Sequence, residues 1–213
     1  MAYVLGFFAA DGSMIRNNRG ACFIEFKITD RSILLKIKQA LGSNHKISRK
    51  TYSNDKWKTT YRLQIGSKEI FKDLTELGFS QKKSKKMKLP FVPIEFWGHF
   101  VRGYFDGDGN VHFKQYYAKD RGKKRWSFST CFTSGSKIFL RDLHKSLSPF
   151  VKGGFLHEKK TPDKKIKGYS LVFSHQDGLA LFRLMYNNGC RGLCLRRKYL
   201  TFKKAIKTLG LQL

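Results

Sequence analysis

The sequence predicts an α+β protein made of two pseudo-symmetric copies of one αββαββα unit, and two observations predict it. Hydropathy patterns of the same kind recur in the same order in both halves of the chain. Each half opens on an apolar helix that ends in Asp-Gly. The 213 residues carry 43 Lys and Arg against 15 Asp and Glu, a net charge of +28, which selects a polyanionic partner. A chain of this length holds one large domain or two of about 100 residues. With 41% hydrophobic and 15% aromatic residues it can bury a substantial core.

The elements follow in parallel. The opening helices cover residues 2–12 and about 95–109. Strands with period-two alternation come next, ACFIEFKIT at 21–29 and RWSFSTCFT at 125–133. Amphipathic helices follow at 31–42 and 136–147, where Ile33, Leu34, Ile37 and Leu41 correspond to Phe139, Leu140, Leu143 and Leu147. A second hairpin repeats Tyr61-x-Leu63-x-Ile65 as Tyr169-x-Leu171-x-Phe173. Helices near 68–77 and 176–187 come after it, and each half closes on a basic segment, KKSKKMKLP at 82–90 and RRKYLTF at 196–202. Asp108 follows Asp11 by 97 positions, Tyr169 follows Tyr61 by 108, and Lys198 follows Lys83 by 115. A smoothly growing offset is the mark of a duplication with small insertions. The linker is 82–93, where Pro90 and Pro93 interrupt any helix. The halves are therefore 1–88 and 89–213, tightly associated, and a helix over about 195–209 finishes the chain.

Composition also narrows the setting. Self-repulsion at +28 opposes compaction unless a polyanion offsets it; the alternative is a basic enzyme with no nucleic-acid partner. Cys190 and Cys194 form a C-x3-C pair with no second Cys/His pair to complete a zinc site. All four cysteines, with Cys22 and Cys131, are expected to be reduced and mostly buried, as in an intracellular protein. The apolar N-terminal run lacks a basic leader and is interrupted by Asp11, unlike a signal peptide. No apolar run reaches the roughly 18 residues of a membrane span. The expected location is intracellular, without secretion and without a membrane partner.

The aspartates need an explanation. A carboxylate at a helix C-terminus is unfavourable by roughly 0.3–1 kcal/mol, yet Asp11 and Asp108 both accept that position. Gly12 and Gly109 after them suit a helix stop. Gly6 and Ala10 lie four apart, as do Gly103 and Gly107, so each helix has a small-residue face that lets a second backbone approach. If the two helices pack on these faces, their carboxylates meet. Two like charges at two negative helix ends call for a cation. A divalent metal answers best, because carboxylates, carbonyls and water are hard oxygen ligands of the kind Mg²⁺ prefers.

At VLGFFAADG (4–12) and VRGYFDGDG (101–109) the sequence resembles the LAGLIDADG homing endonucleases of the single-chain, two-motif type. The second copy keeps an earlier acid at Asp106, where the first has Ala9. The likeness extends over essentially the whole chain. It implies a monomer whose two antiparallel sheets form a saddle over double-stranded DNA with a long, asymmetric site, and cleavage of both strands. It implies that Asp11 and Asp108 hold divalent metal, Mg²⁺ with Ca²⁺ or Mn²⁺ as substitutes, and that the carbonyls of Ala10 and Gly107 add ligands. Aligning the halves pairs Lys83 with Lys198, and Lys82 with Arg197; Lys83 and Lys198 are the candidates to polarise the attacking water or steady the transition state.

Alternation places the DNA contacts. With Ile24, Phe26, Leu63, Ile65, Phe128, Phe132, Leu171 and Phe173 inward, the outward set is Glu25, Lys27, Lys58, Thr60, Arg62, Gln64, Arg125, Ser127, Ser129, Lys167 and Ser170. Arg19, Arg49, His112 and Lys114 join it. Such groups read base edges and phosphates; the plainer alternative is a solvated sheet face. Two further readings use the same scaffold: an intron maturase that binds RNA, and a DNA-binding protein that does not cut. The latter expects a motif aspartate to be lost, and here both are present.

Overall fold

The computed structural model describes residues 1–53, 58–81, 83–163, 165–187 and 189–212. In the N-terminal half the order is α1 (Ala2–Asp11), β1 (Gly12–Arg16), β2 (Cys22–Ile28), α2 (Arg31–Ala40), β3 (Ile47–Lys50), β4 (Thr60–Gly66), α3 (Lys68–Glu76) and the single turn α4 (Lys83–Lys86). In the C-terminal half it is α5 (Trp97–Asp108), β5 (Gly109–Ala118), β6 (Lys123–Ser134), α6 (Lys137–Leu147), β7 (Phe155–Lys160), β8 (Ile166–Ser174), α7 (His175–Tyr186) and α8 (Arg196–Thr208). The αββαββα plan thus appears twice. The amphipathic helices start where side chains cap their first amides: Asp30 accepts from the Ser32 amide, Ser67 from Ile70 and Ser136 from Phe139.

The two sheets are antiparallel and share one topology, β1-β2-β4-β3 and β5-β6-β8-β7. Ile24 pairs with Ile65 and Phe26 with Leu63, all buried. Phe132 pairs with Leu171, and Phe128 and Phe173 lie buried on the same face. The helices cover these faces. The opposite faces carry the polar set: Lys27 beside Arg62, Glu25 beside Gln64, His112 beside Ser129, Lys114 beside Ser127 and Tyr116 beside Arg125. Glu25 and Arg62 also form an ion pair at 3.6 Å.

Four expectations are corrected. Arg49 pairs with Tyr61, on the face that carries Ile47 and Leu63, so Ser48 and not Arg49 lies beside Arg62. Ser170 is on the outward face beside Thr133 and His157, but these neighbours leave it only 6% exposed. The register shift opposite Lys159 and Lys160 leaves Lys167 unpaired, which is how it and Ser170 can both be assigned outward despite odd spacing. Finally, Cys190 and Cys194 form a disulfide, their Cα atoms 5.7 Å apart and within bridging range; Cys22 and Cys131 are free and only half-buried, Cys131 because it shares the outward face with Asn110 and Val172.

The centre of the molecule is the α1–α5 pair. A Cβ added to Gly6 would fall on the carbonyl of Phe100, and one added to Gly103 on the carbonyl of Tyr3. The nearest amides are Tyr104 and Phe7 in turn, both at 2.9 Å from that Cβ position. Each contact maps onto the other by the offset of 97 positions that separates Asp11 from Asp108. The helices therefore pack in parallel about a pseudo-two-fold axis, with backbone against backbone. Further down, Gly107 faces Ala10, so all four small residues read from the sequence form the interface.

Candidate active site

Parallel packing brings the two C-termini to one end of the molecule. A Cβ on Gly107 would lie 3.3 Å from an Asp11 carboxylate oxygen, so Asp11 reaches across to the last turn of the opposite helix. Both motif aspartates are half-buried. Both bear on the same two buried groups. Burial pushes the Tyr104 phenol up, and the charges of Asp108 and Asp11 push it further. Both charges also act on Lys198. The Tyr104 hydroxyl donates to the Thr133 carbonyl at 2.7 Å, and the Thr133 hydroxyl donates to the Asp108 carbonyl at 2.9 Å. This clamp fixes the end of α5 to β6.

The glycines after the aspartates do not stop the helices in the expected way. Gly12 has φ −83° and ψ 158°, and Gly109 has −92° and 165°, which is extended backbone open to any residue. Each is the first residue of a strand, so helix passes into strand with no loop. Glycine is required because a Cβ would strike the ring of Phe8 at Gly12 and that of Phe105 at Gly109. The elbow is thus packed tightly behind each carboxylate.

Lys198 reaches the site as the repeat suggests, but its ammonium is spent on the backbone. It is 6% exposed. Nζ donates to the carbonyls of Phe105 at 2.6 Å, Asp106 at 2.7 Å and Gly109 at 2.6 Å, with Gly107 at 3.4 Å. A cation at this negative helix end is stabilised by the helix dipole. Burial brings its pKa down to about 8, against the opposing pull of the Asp106 charge. Lys198 therefore acts as a positive cap that positions the end of α5. Replacing it by methionine leaves the carbonyls of Phe105, Asp106 and Gly109 without this donor. The expected cost is about 2–3 kcal/mol, read as a lowered Tm in thermal unfolding. Lys83, its counterpart, lies in α4; Lys82 lies outside the described residues.

Asp106, read from the sequence only as a motif letter, is fully buried. Its carboxylate accepts from the Tyr3 hydroxyl at 2.7 Å, the Leu195 amide at 2.7 Å and the Tyr186 hydroxyl at 3.4 Å. Burial raises its pKa, and the bonds from Tyr3 and Leu195 oppose that rise. It ties α1, α5, α7 and the start of α8 into one unit. No local pattern identifies it, since its partners lie 80 or more positions away in sequence.

Among the described residues no cluster of three His, Cys, Asp or Glu side chains is present. A cation here would rely on two carboxylates, helix-end carbonyls and ligands from outside the protein. That all-oxygen set fits a hard divalent ion. Gly107 suits the role, because the Lys198 bond to its carbonyl, at 3.4 Å, is the longest of the four. Of the outward set, Lys27, Lys58, Arg62, His112, Lys114, Arg125 and Lys167 are exposed, while Glu25, Thr60, Gln64, Ser127 and Ser129 are half-buried. Arg19 is exposed in the β1–β2 turn. The exposed members form a basic surface on the sheet faces opposite the helices.

Comparison with known proteins places this architecture. Residues 1–77, from α1 through α3, match the model of a LAGLIDADG-like domain. The chain is 23% identical over 184 residues to the replication factor C small subunit of Methanocaldococcus jannaschii; the match takes in 85% of the chain but spans only 9% of that protein's length. Three solved structures share the fold over nearly the whole chain. I-LtrWI bound to target DNA has a TM-score of 0.62 at 13% identity, covering 99% of this chain and 90% of that one. I-SmaMI bound to cleaved DNA has a TM-score of 0.63 at 13% identity, covering 98% and 89%. I-AabMI bound to uncleaved DNA has a TM-score of 0.62 at 12% identity, covering 98% and 90%. Residues 1–77 therefore form a LAGLIDADG-like domain, and the chain as a whole has the fold of the LAGLIDADG homing endonucleases.

Proposed function

We propose that the protein is a site-specific DNA endonuclease that cuts both strands of a long, asymmetric target as a monomer, with Mg²⁺ as its metal. The observation that carries this reading is the parallel α1–α5 pair, which delivers Asp11 and Asp108 to one end of the molecule, where the two basic sheets begin. β1 starts at Gly12 and β5 at Gly109, so each carboxylate is joined directly to the sheet that would hold the duplex. Two acids related by a pseudo-dyad match two scissile phosphates related by the dyad of the DNA. Asp11 and Asp108, with the carbonyls of Ala10 and Gly107, would hold the divalent ion, which supplies a more acidic water and charge for the leaving oxygen.

The chain's own residues do the rest. Lys198 and the Tyr104–Thr133 clamp hold the end of α5 in place. Lys27, Arg62, Lys114 and Arg125 bind phosphates and base edges and fix the register. The DNA would lie on the face opposite the helices, inside the cell that carries the target. Incubation with a randomised duplex library and Mg²⁺ tests the proposal. The expected result is enrichment of one long site cut on both strands, with no cutting in EDTA. Binding without cutting would favour a DNA-binding protein, and displacement of duplex by structured intron RNA would favour a maturase.

A further inference from the structure

A second basic site lies away from the carboxylates. A cleft of about 830 Å³ is lined by His99, Arg102, Arg191, Arg196, Tyr199 and Leu200, where the first turns of α5 meet the start of α8. With a rise of 1.5 Å per residue, Arg102 lies roughly 9 Å and His99 roughly 13 Å up the α5 axis from Asp108. The cleft thus opens along the N-terminal half of α5, roughly between one and three helical turns from Asp108.

Its walls are fixed. Arg102 donates from Nε to the Leu193 carbonyl at 3.1 Å and from Nη1 to the Met185 carbonyl at 2.6 Å. Its Nη2 is 2.9 Å from His99 Nδ1. A guanidinium only donates, so Nδ1 accepts and the His99 ring carries its proton on Nε2. The guanidinium also stacks over the Tyr3 ring at 5.5 Å. These described bonds use three of its five N–H groups. Arg191 projects from the loop closed by the Cys190–Cys194 disulfide, and Asp106 pins that loop through the Leu195 amide.

The cleft is strongly basic. Among the described residues, none of His99, Arg102, Arg191 and Arg196 takes part in an ion pair. The Asp106 charge does act on Arg102, but its oxygens already accept from Tyr3, Tyr186 and Leu195. The N-terminus of α8, 13 residues long, opens beside them with no side-chain cap, and its first amides add positive potential. Three guanidiniums, an imidazole and a helix start point to a phosphate. Two features extend the ligand beyond a single phosphate ion. Tyr199 and Leu200 give the cleft an aromatic and an apolar wall. Arg196, Leu200, Lys203 and Lys207 are exposed at helical spacing along α8, so a basic track continues from the cleft.

We propose that this cleft and the α8 track bind the sugar-phosphate backbone of a single-stranded nucleic-acid segment, separate from any duplex on the sheets. The phosphates would sit on Arg102, Arg191 and Arg196, with a base against Tyr199.

The test compares the full-length protein with two triple variants, Arg191→Gln/Arg196→Gln/Lys203→Gln on the cleft and Lys27→Gln/Arg62→Gln/Lys114→Gln on the sheets. Each is titrated with a labelled single strand of about 15 nucleotides and with a labelled duplex, over a range of salt. The cleft variant is expected to lose single-strand affinity by about tenfold or more, with a salt slope shallower by about 2, while its duplex affinity stays within about twofold. The sheet variant should show the reverse. Equal losses for both ligands in both variants would reduce the effect to net charge and overturn the proposal, as would an unchanged single-strand affinity in the cleft variant. Inorganic pyrophosphate separates the two phosphate sources. If it displaces the strand at concentrations no higher than the strand's own nucleotide concentration, the cleft is a site for small phosphates and the strand assignment is overturned.

Discussion

Gly103→Ala is expected to destabilise the protein by about 3 kcal/mol or more, although it adds a single methyl group. The added carbon would fall on the Tyr3 carbonyl and lie 2.9 Å from the Phe7 amide. Neither neighbour is a flexible side chain that can turn away. The backbone of α1 must retreat, and it carries Phe7 and Phe8, both nearly inaccessible to solvent, into the core of the first sheet. Retreat therefore opens cavities on both sides of the helix pair, where Tyr104 and Phe105 are equally buried. For a chain of about 200 residues, 3 kcal/mol corresponds to roughly 6–12 °C in Tm. Gly6→Ala should cost a similar amount, since its collision with Phe100 is the pseudo-symmetric counterpart. Gly66→Ala is the control: its new carbon would meet only the Phe23 ring at an ordinary 3.5 Å, and its Tm should change little. Equal Tm values for Gly103→Ala and Gly66→Ala would mean that the helices do not touch as described.

The halves and their elements could be read from the sequence because they rest on local periodicity. Ile33, Leu34 and Ile37 repeat every three or four residues, and Tyr61-Leu63-Ile65 every two. Those spacings survive any tertiary arrangement. The small-residue interface could also be read, since Gly6 and Ala10 lie on one helix face whatever they meet. What escaped the sequence depends on partners far along the chain. Arg49 reads as a DNA contact from its charge, but the face of a four-residue strand is set by its register, which pairs Arg49 with Tyr61, not by its own composition. Gly12 reads as a helix stop; its actual constraint is the Phe8 ring folded behind it. Lys198 reads as a free catalytic cation, because nothing in RRKYLTF shows that its ammonium ends beneath carbonyls some 90 positions earlier. Asp106 is the same case with a carboxylate. Buried polar groups are specified by their partners, and those partners meet only in the folded chain.

The largest expected effect on activity belongs to Asp11→Asn and Asp108→Asn. Each substitution keeps the shape and volume of the side chain and removes one charge. Each acid ends one motif helix and leads directly into one sheet, so each should govern hydrolysis of the strand nearest to it. On a duplex labelled on both strands, a single variant is expected to lose cutting of one strand by at least about a hundredfold, leaving nicked product if the remaining acid suffices. The double variant should lose both cuts. Binding without metal should hold or tighten slightly, because removing a carboxylate lowers repulsion toward phosphate. The two positions should respond alike in stability. Both carboxylates act on Lys198, and the cap and the clamp hold α5 through backbone carbonyls that neither substitution removes. Each single variant should therefore lose activity with only a small and similar change in Tm. Tm measured beside strand-resolved cleavage separates loss of catalysis from loss of the fold. Full activity in both single variants would mean that the paired carboxylates only relieve the positive charge around them, and the endonuclease reading would fall with that result.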